Sequence, residues 1–85
     1  MKKFIIKMMM STYKGAQHYL EEAEDSHDMD IKHTLKDLAI GETTEFDKLY
    51  QLYKHKFDNV AEPDCWLEYF KDEVHELRKK INEVS

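Results

Sequence analysis

The 85-residue sequence is poor in turn-forming residues, with 2 glycines and 1 proline, while 36% of its residues are charged. Sheet proteins need turn residues every few positions, so this scarcity argues against a β-sandwich or barrel and favours long helices. The length fits one helical domain, residues 1–85. Its core is expected to be marginal, because so small a chain buries only about 60% of its unfolded surface.

Other absences narrow the classes of partner and site. The single cysteine, Cys65, excludes an internal disulfide and a zinc site built from several cysteines. No stretch approaches the roughly 18 apolar residues of a membrane-spanning helix, so a membrane is not predicted as a partner. The net charge of −5 would repel a phosphate backbone, so a nucleic acid is not predicted either. A glycine-rich phosphate loop and a Ser-His-Asp arrangement are also missing.

Apolar residues recur along the sequence at steps of three and four. This spacing predicts helices near residues 3–25, 29–59 and 63–83. The first stripe contains Ile5, Ile6, Met9, Tyr13, Ala16, Leu20 and Ala23. The second contains Ile31, Leu35, Leu38, Glu42, Phe46, Leu49, Tyr53 and Phe57. The third contains Trp66, Leu67, Phe70, Val74, Leu77, Ile81 and Val84. Ser26 and Asp28 are placed to cap the second helix, and Pro63 suits the first turn of the third.

The connection between the first two helices, about residues 25–29, is short, so we expect an antiparallel hairpin. The second helix would be about 45 Å long at 1.5 Å per residue. A small globule cannot cover such a helix well, so its end should reach another subunit or receive the third helix folded back along it. The predicted fold is therefore all-α, a long antiparallel helical hairpin plus a third C-terminal helix.

Glu42 is a polar residue at the centre of the second apolar stripe. Because an unpaired buried carboxylate is costly, we expect Glu42 to have partners or a raised pKa. Residues equidistant from the hairpin turn face each other, which predicts Gln17 opposite Glu42, with Glu45 one turn further along the same face. Two interpretations stay open: Glu42 reaches water or a tyrosine hydroxyl, or these residues form a metal site or a polar network.

A partner interface is predicted where apolar side chains exceed what the chain can bury. Three consecutive methionines, Met8, Met9 and Met10, cannot all lie on one narrow helix face, so part of this adaptable patch should remain for a partner. Phe57 lies near the end of the overlong second helix. Trp66 begins the third helix, and tryptophan is a frequent interface anchor. These five residues are the predicted contacts.

Two segments resemble the helical hairpin of ferritin-like, rubrerythrin-like proteins. They are Gly15-Ala-Gln-His-Tyr-Leu-Glu-Glu-Ala23 and Leu38-Ala-Ile-Gly-Glu-Thr-Thr-Glu-Phe-Asp-Lys-Leu49. The chain looks like the small ferritin-like proteins that bacteriophages and prophages of Gram-positive hosts often carry near their capsid genes. In those proteins the first helix reads roughly Gly-Ala-Glu-Lys-Tyr and the second Leu-Ala-x-x-Glu-x-x-His. The segments Trp66-Leu-Glu-Tyr-Phe-Lys71 and Leu77-Arg-Lys-Lys80 also resemble their C-terminal helix, so the expected fold is a ferritin-like half-bundle.

The resemblance implies a di-iron site, for which one helix supplies a Glu and the next a Glu-x-x-His motif. Here Gln17 stands in place of the first glutamate, Glu42 matches the second, and Glu45 replaces the histidine. Losing the imidazole leaves oxygen ligands, which suit Mg²⁺, Ca²⁺ or Mn²⁺ better than an oxygen-activating iron centre. We therefore predict a relic of the family site and no cofactor, with a divalent cation as the remaining alternative.

Two classes of function agree with these features. The first is a non-enzymatic interaction or structural protein that self-associates or docks on a larger protein assembly. For it the resemblance implies a phage context, such as a virion head or tail, and a location in the virion or the host cytoplasm. The alternative is a ferritin-like metal-binding or iron-handling oxidoreductase assembled as a dimer of hairpins. Gln17 and Glu45 at positions where the family has Glu and His favour the first class.

Overall fold

The computed structural model describes residues 1–57 and 65–84, which form three α-helices and no strand. The helices are α1 (Lys2–Asp25), α2 (Met29–Phe57) and α3 (Cys65–Glu83). The predicted all-α fold, a helical hairpin followed by a third helix, is confirmed. The predicted end of the second helix at residue 59, the predicted start of the third at residue 63, and Pro63 lie outside the described residues.

The turn between α1 and α2 is stabilised by side chains that cap α2. The carboxylate Oδ1 of Asp28 accepts hydrogen bonds from the backbone N–H groups of Asp30 at 2.9 Å and Ile31 at 3.1 Å. These N–H groups lack partners within the helix, so the cap satisfies them and starts α2. Ser26 Oγ accepts from the backbone N–H of Asp28 at 3.3 Å and so holds the turn itself. The predicted cap is confirmed for Asp28, whereas Ser26 holds the turn and does not cap α2 itself.

Helix α3 folds back along the hairpin and runs antiparallel to α2. Near the start of α3, the Tyr50 hydroxyl donates a hydrogen bond to Glu68 at 2.7 Å. At its end, the Lys36 ammonium donates to the backbone carbonyl of Val84 at 2.6 Å. Of the two alternatives expected for the long α2, the structure shows the third helix folded back along it, and the chain is an elongated three-helix bundle of 49 × 21 × 14 Å.

The core consists of two apolar clusters stacked along the bundle. One joins the start of α1 to the second half of α2 and the start of α3, and its buried members are Ile5, Met9, Phe46, Tyr50, Tyr53, Leu67 and Val74. The other joins the end of α1 to the middle of α2 and the end of α3, and its buried members are Ala16, Leu20, Ala39, Leu77 and Ile81. Within the ranges described, no helix combines the length and the apolar character that crossing a bilayer requires.

The predicted buried stripe of α2 is wrong in its first half. Leu38 is 44% exposed and Ile31 is 54% exposed, whereas Ala39 and Thr43 are buried. The reason is that α2 packs against α1 and α3 together, so its buried face points between those two helices. Ala39 and Thr43 face the core there, and Ile31 and Leu38 remain on the opposite side of the hairpin.

Candidate functional site: Glu42 and the open face of the hairpin

Glu42 projects from α2 against the backbone of α1 at Gly15. A β-carbon built on Gly15 would lie 3.1 Å from Cδ of Glu42 and 3.3 Å from each of its carboxylate oxygens. Such distances are shorter than side-chain atoms normally approach, so any larger residue at position 15 would displace the carboxylate. Gly15 therefore makes the room that Glu42 occupies.

The environment of Glu42 favours its neutral form. Partial burial raises the pKa of the Glu42 carboxyl above its ordinary value, and the negative charge of Glu45 raises it further. Among the described residues, none donates a hydrogen bond to Glu42 or pairs with its charge. Glu42 is therefore a half-buried acid with a like charge nearby and no cation beside it.

The three residues predicted to form the site are not all brought together. Glu45 is near enough to Glu42 to act on its pKa. Gly15, however, takes the position against Glu42 that was predicted for Gln17. Residues two apart on a helix project about 200° apart, so Gln17 points away from the side on which Gly15 meets Glu42.

The chain offers few ligands for a metal ion at this place. Searched over residues 1–57 and 65–84, it contains no group of three or more His, Cys, Asp or Glu side chains that could hold a metal. Glu42 and Glu45 are a pair of carboxylates, and a cation bound to them would need further ligands from water or from another molecule.

Large apolar side chains are exposed on one side of the hairpin. Phe4, Met8, Leu38 and Leu52 are exposed by 59%, 38%, 44% and 42% respectively. Their spacing along each helix, in steps of three, four and seven, places them on the same side as Gly15 and Glu42. We call this surface the open face. Its residues include Phe4, Met8, Ser11, Gly15 and Glu22 of α1 and Ile31, Leu38, Glu42, Glu45 and Leu52 of α2, and at its edge Tyr19 and Leu49 are partly buried against the core clusters.

Helix α3 covers the other side of the hairpin. Its Arg78 reaches Thr43 and Asp47 of α2, and the ring of its Phe70 packs edge-on against Tyr13 of α1 at 5.1 Å. Tyr13 projects about 200° away from Gly15, as Thr43 does from Glu45. The open face is therefore the side of the hairpin that α3 leaves uncovered.

The predicted partner contacts divide between the core and the surface. Met9 is 1% exposed and belongs to the first core cluster, so a partner cannot use it while the chain is folded. Phe57 is half-buried and packs against the same cluster. Met8, Met10 and Trp66 are exposed, and the Trp66 ring also packs edge-on against Tyr53 at 5.6 Å. Of the five, Met8 lies on the open face.

Sequence reasoning missed Gly15 and Leu38 as parts of this surface. A glycine inside a helix costs about 1 kcal/mol of stability relative to alanine. Gly15 could therefore have indicated a place where another side chain comes close to the α1 backbone. Leu38 carried no such signal, because its 3–4 spacing suits a buried stripe as well as an exposed one.

Comparisons with family models, curated proteins and solved structures find no match to this chain. The resemblance to ferritin-like hairpins therefore rests on the sequence motifs alone and stays a prediction.

Proposed function

We propose that this chain is a non-enzymatic interaction protein that docks on another protein through the open face of its hairpin. The observation that carries the proposal is the exposed apolar surface around Glu42. Folded monomers rarely expose large contiguous apolar patches, and such patches often mark sites of protein interaction. Because α3 completes the core on the other side, the exposed Phe4, Met8, Leu38 and Leu52 are left on the surface of the chain.

The size of the open face fits such a role. Two neighbouring helices present a surface about 20 Å wide, and the apolar residues extend over about 30 Å of helix length. A surface of roughly 600 Å² on each partner approaches the lower end of the range for specific protein interfaces. The half-buried Glu42 at its centre supports specificity, since a misplaced partner would leave that charge unpaired.

The resemblance suggests where such docking takes place. A small ferritin-like protein of a bacteriophage would bind the head or tail of the virion, or act on a protein in the host cytoplasm. We propose this context from the motifs on α1 and α2. It is separate from the proposal about the open face, which stands on exposure and packing.

A double substitution tests whether the open face binds a partner. Met8→Asp with Leu38→Asp is expected to keep the helical circular-dichroism spectrum, because both side chains are exposed. The double variant should no longer bind the partner protein. Tyr69→Asp is the matched control, since Tyr69 is 67% exposed on α3. A photo-crosslinking residue at position 38, but not at 69, should give adducts in cells that make the protein. Equal adducts from both positions, or none from position 38, would refute docking through this face.

A metal-binding protein is the second candidate, favoured by the adjacent carboxylates of Glu42 and Glu45. Elemental analysis of the purified chain, repeated on Glu42→Gln, tests it. Stoichiometric iron or manganese that is lost in the variant would support the ferritin-like alternative. Metal-free protein that still gives the crosslinked adduct at position 38 would support the interaction protein.

A further inference from the structure

We infer that the occupant of the open face is an α-helix of another protein that carries an apolar stripe and one lysine or arginine at its centre. This inference rests on the proposed docking function. The basic side chain would approach the Glu42 carboxylate from the open face, where the carboxylate lies over Gly15, and pair with Glu42 and Glu45. The apolar stripe would cover the exposed side chains on both sides of them.

Charge complementarity selects this partner. The centre of the open face holds two carboxylates within electrostatic reach of each other, and Glu42 is partly withdrawn from water. Docking an entirely apolar helix there would desolvate both charges without compensation, which is strongly unfavourable. A central cation supplies the missing partner, and lysine and arginine have stems long enough to cross an apolar surface.

A second copy of the chain fits the open face less well. Gly15 lies near the middle of its α1 segment, and Glu42 lies near the middle of its α2 segment. A two-fold axis that brings two such faces together would set both acidic pairs at the same level. Four carboxylates would then meet at the centre of an apolar interface, where like charges repel strongly.

The groove geometry suits one added helix. Two helices packed side by side leave a groove that a third helix can enter, and α3 occupies the groove on the opposite side in this way. At the middle of the open groove Gly15 carries no side chain, and Glu42 is aimed at it. An added helix of about 20 residues would span the exposed apolar residues along the bundle.

Two designed peptides test the inference on the full chain. Both are amphipathic helices of about 20 residues with a leucine stripe, and they differ only in carrying lysine or methionine at the central position. Fluorescence anisotropy should give about tenfold tighter binding for the lysine peptide. The preference should fall in Glu42→Gln, disappear when Glu45→Gln is added, and remain in Glu76→Gln, whose substitution lies on the exposed side of α3.

The other outcomes separate this inference from the docking proposal. Equal binding of the two peptides to wild type, abolished by Leu38→Asp, would leave docking intact and overturn the central cation. A wild-type chain that dimerises, and becomes monomeric with Leu38→Asp, would make a second copy the occupant and also overturn the inference. Binding of neither peptide, together with no crosslinked adduct at position 38, would overturn both.

Discussion

At the scale of single residues, Gly15 and Glu42 explain each other. A glycine in the middle of α1 weakens the helix, and a half-buried acid on α2 weakens the packing, yet each provides what the other needs. The carboxylate lies where a β-carbon at position 15 would crowd it. Both features are therefore disadvantages for the isolated chain, as is common where a surface is shaped for a ligand or partner.

The two glycines allow the contact with Glu42 to be measured. Gly41→Ala should stabilise the chain by about 1 kcal/mol, because alanine favours the helix and, apart from the adjoining α2 backbone, no atom of residues 1–57 and 65–84 lies within 4 Å of the new β-carbon. Gly15→Ala should stabilise it less, since the carboxylate of Glu42 must move aside. Urea denaturation measures both changes. In a Glu42→Ala background the two substitutions should become equal, and a persistent difference would show that Glu42 is not the obstacle.

Glu42→Gln should leave stability unchanged or raise it slightly at pH 7, by about 0.5 kcal/mol. Because folding raises the pKa of Glu42, the folded chain holds this proton more tightly than the unfolded chain does. The wild type should therefore gain stability from this group as the pH falls through its raised pKa. The advantage of the glutamine variant should be largest near neutral pH and vanish in acid.

Thermal unfolding from pH 4 to 8 checks this dependence, with Glu21→Gln on the exposed side of α1 as the control. A chelator should not change the melting temperature of wild type. If Glu42→Gln and the chelator both lowered it, a bound cation would be stabilising the site, against the prediction.

At the scale of helices, polar side chains attach α3 to α2. Arg78 donates from Nε to the Thr43 hydroxyl and from Nη2 to the Thr43 carbonyl, each at 3.2 Å, and it pairs with Asp47 at 2.7 Å. The planar guanidinium reaches three acceptors at once, which a lysine ammonium in the same place could not do with the same geometry. Arg78 therefore helps to fix how α3 sits along α2, together with the Tyr50–Glu68 and Lys36–Val84 hydrogen bonds.

Substitutions of Arg78 separate its charge from its geometry. Arg78→Met should destabilise the chain by about 2 kcal/mol, because it leaves the oxygens of Thr43 without their donor. Arg78→Lys should cost about 1 kcal/mol. Asp47→Asn should lower the free energy of unfolding less than either substitution of Arg78 does, since the Asp47 side chain is 47% exposed and water screens the ion pair. Urea denaturation provides the comparison, and a loss in Asp47→Asn as large as in Arg78→Met would contradict it.

At the scale of the whole molecule, the bundle is elongated and its core is small. The Phe46 ring of α2 stacks 5.5 Å from Phe70 of α3 and 6.5 Å from Tyr50, and Phe46 belongs to the same core cluster as Ile5 and Met9 of α1. Phe46→Ala should cost about 3–5 kcal/mol, a large part of the total stability of a domain this size. The variant is therefore expected to be partly or wholly unfolded at 25 °C by circular dichroism.

Two further variants keep that test informative. Phe46→Leu preserves most of the volume and should fold with a loss of about 1.5 kcal/mol or less. Tyr69→Ala removes an exposed aromatic ring and should change stability by about 0.5 kcal/mol or less. If Phe46→Ala unfolded no more readily than Tyr69→Ala, the two core clusters would not depend on the stacked rings.

The sequence alone determined the helices and their order. Apolar periodicity, the Asp28 cap and the short turn are local properties, and they predicted α1, α2, α3 and the hairpin, while the return of α3 along α2 was one of two alternatives that the sequence left open. The scarcity of glycine and proline excluded sheets for the same local reason. The suspicion that Glu42 is an unusual, partly buried acid also came from one helix, since a polar residue inside an apolar stripe is visible without any neighbour.

Only the tertiary structure decided which way each helix faces. The buried side of α2 is set by two helices at once, so Ala39 and Thr43 turn inward while Leu38 turns out, and no pattern within α2 distinguishes these cases. Likewise, Gly15 rather than Gln17 meets Glu42, because a shift of two residues reverses the side of α1 that is presented. Rotation about a helix axis depends on contacts between distant segments, and those contacts created the open face.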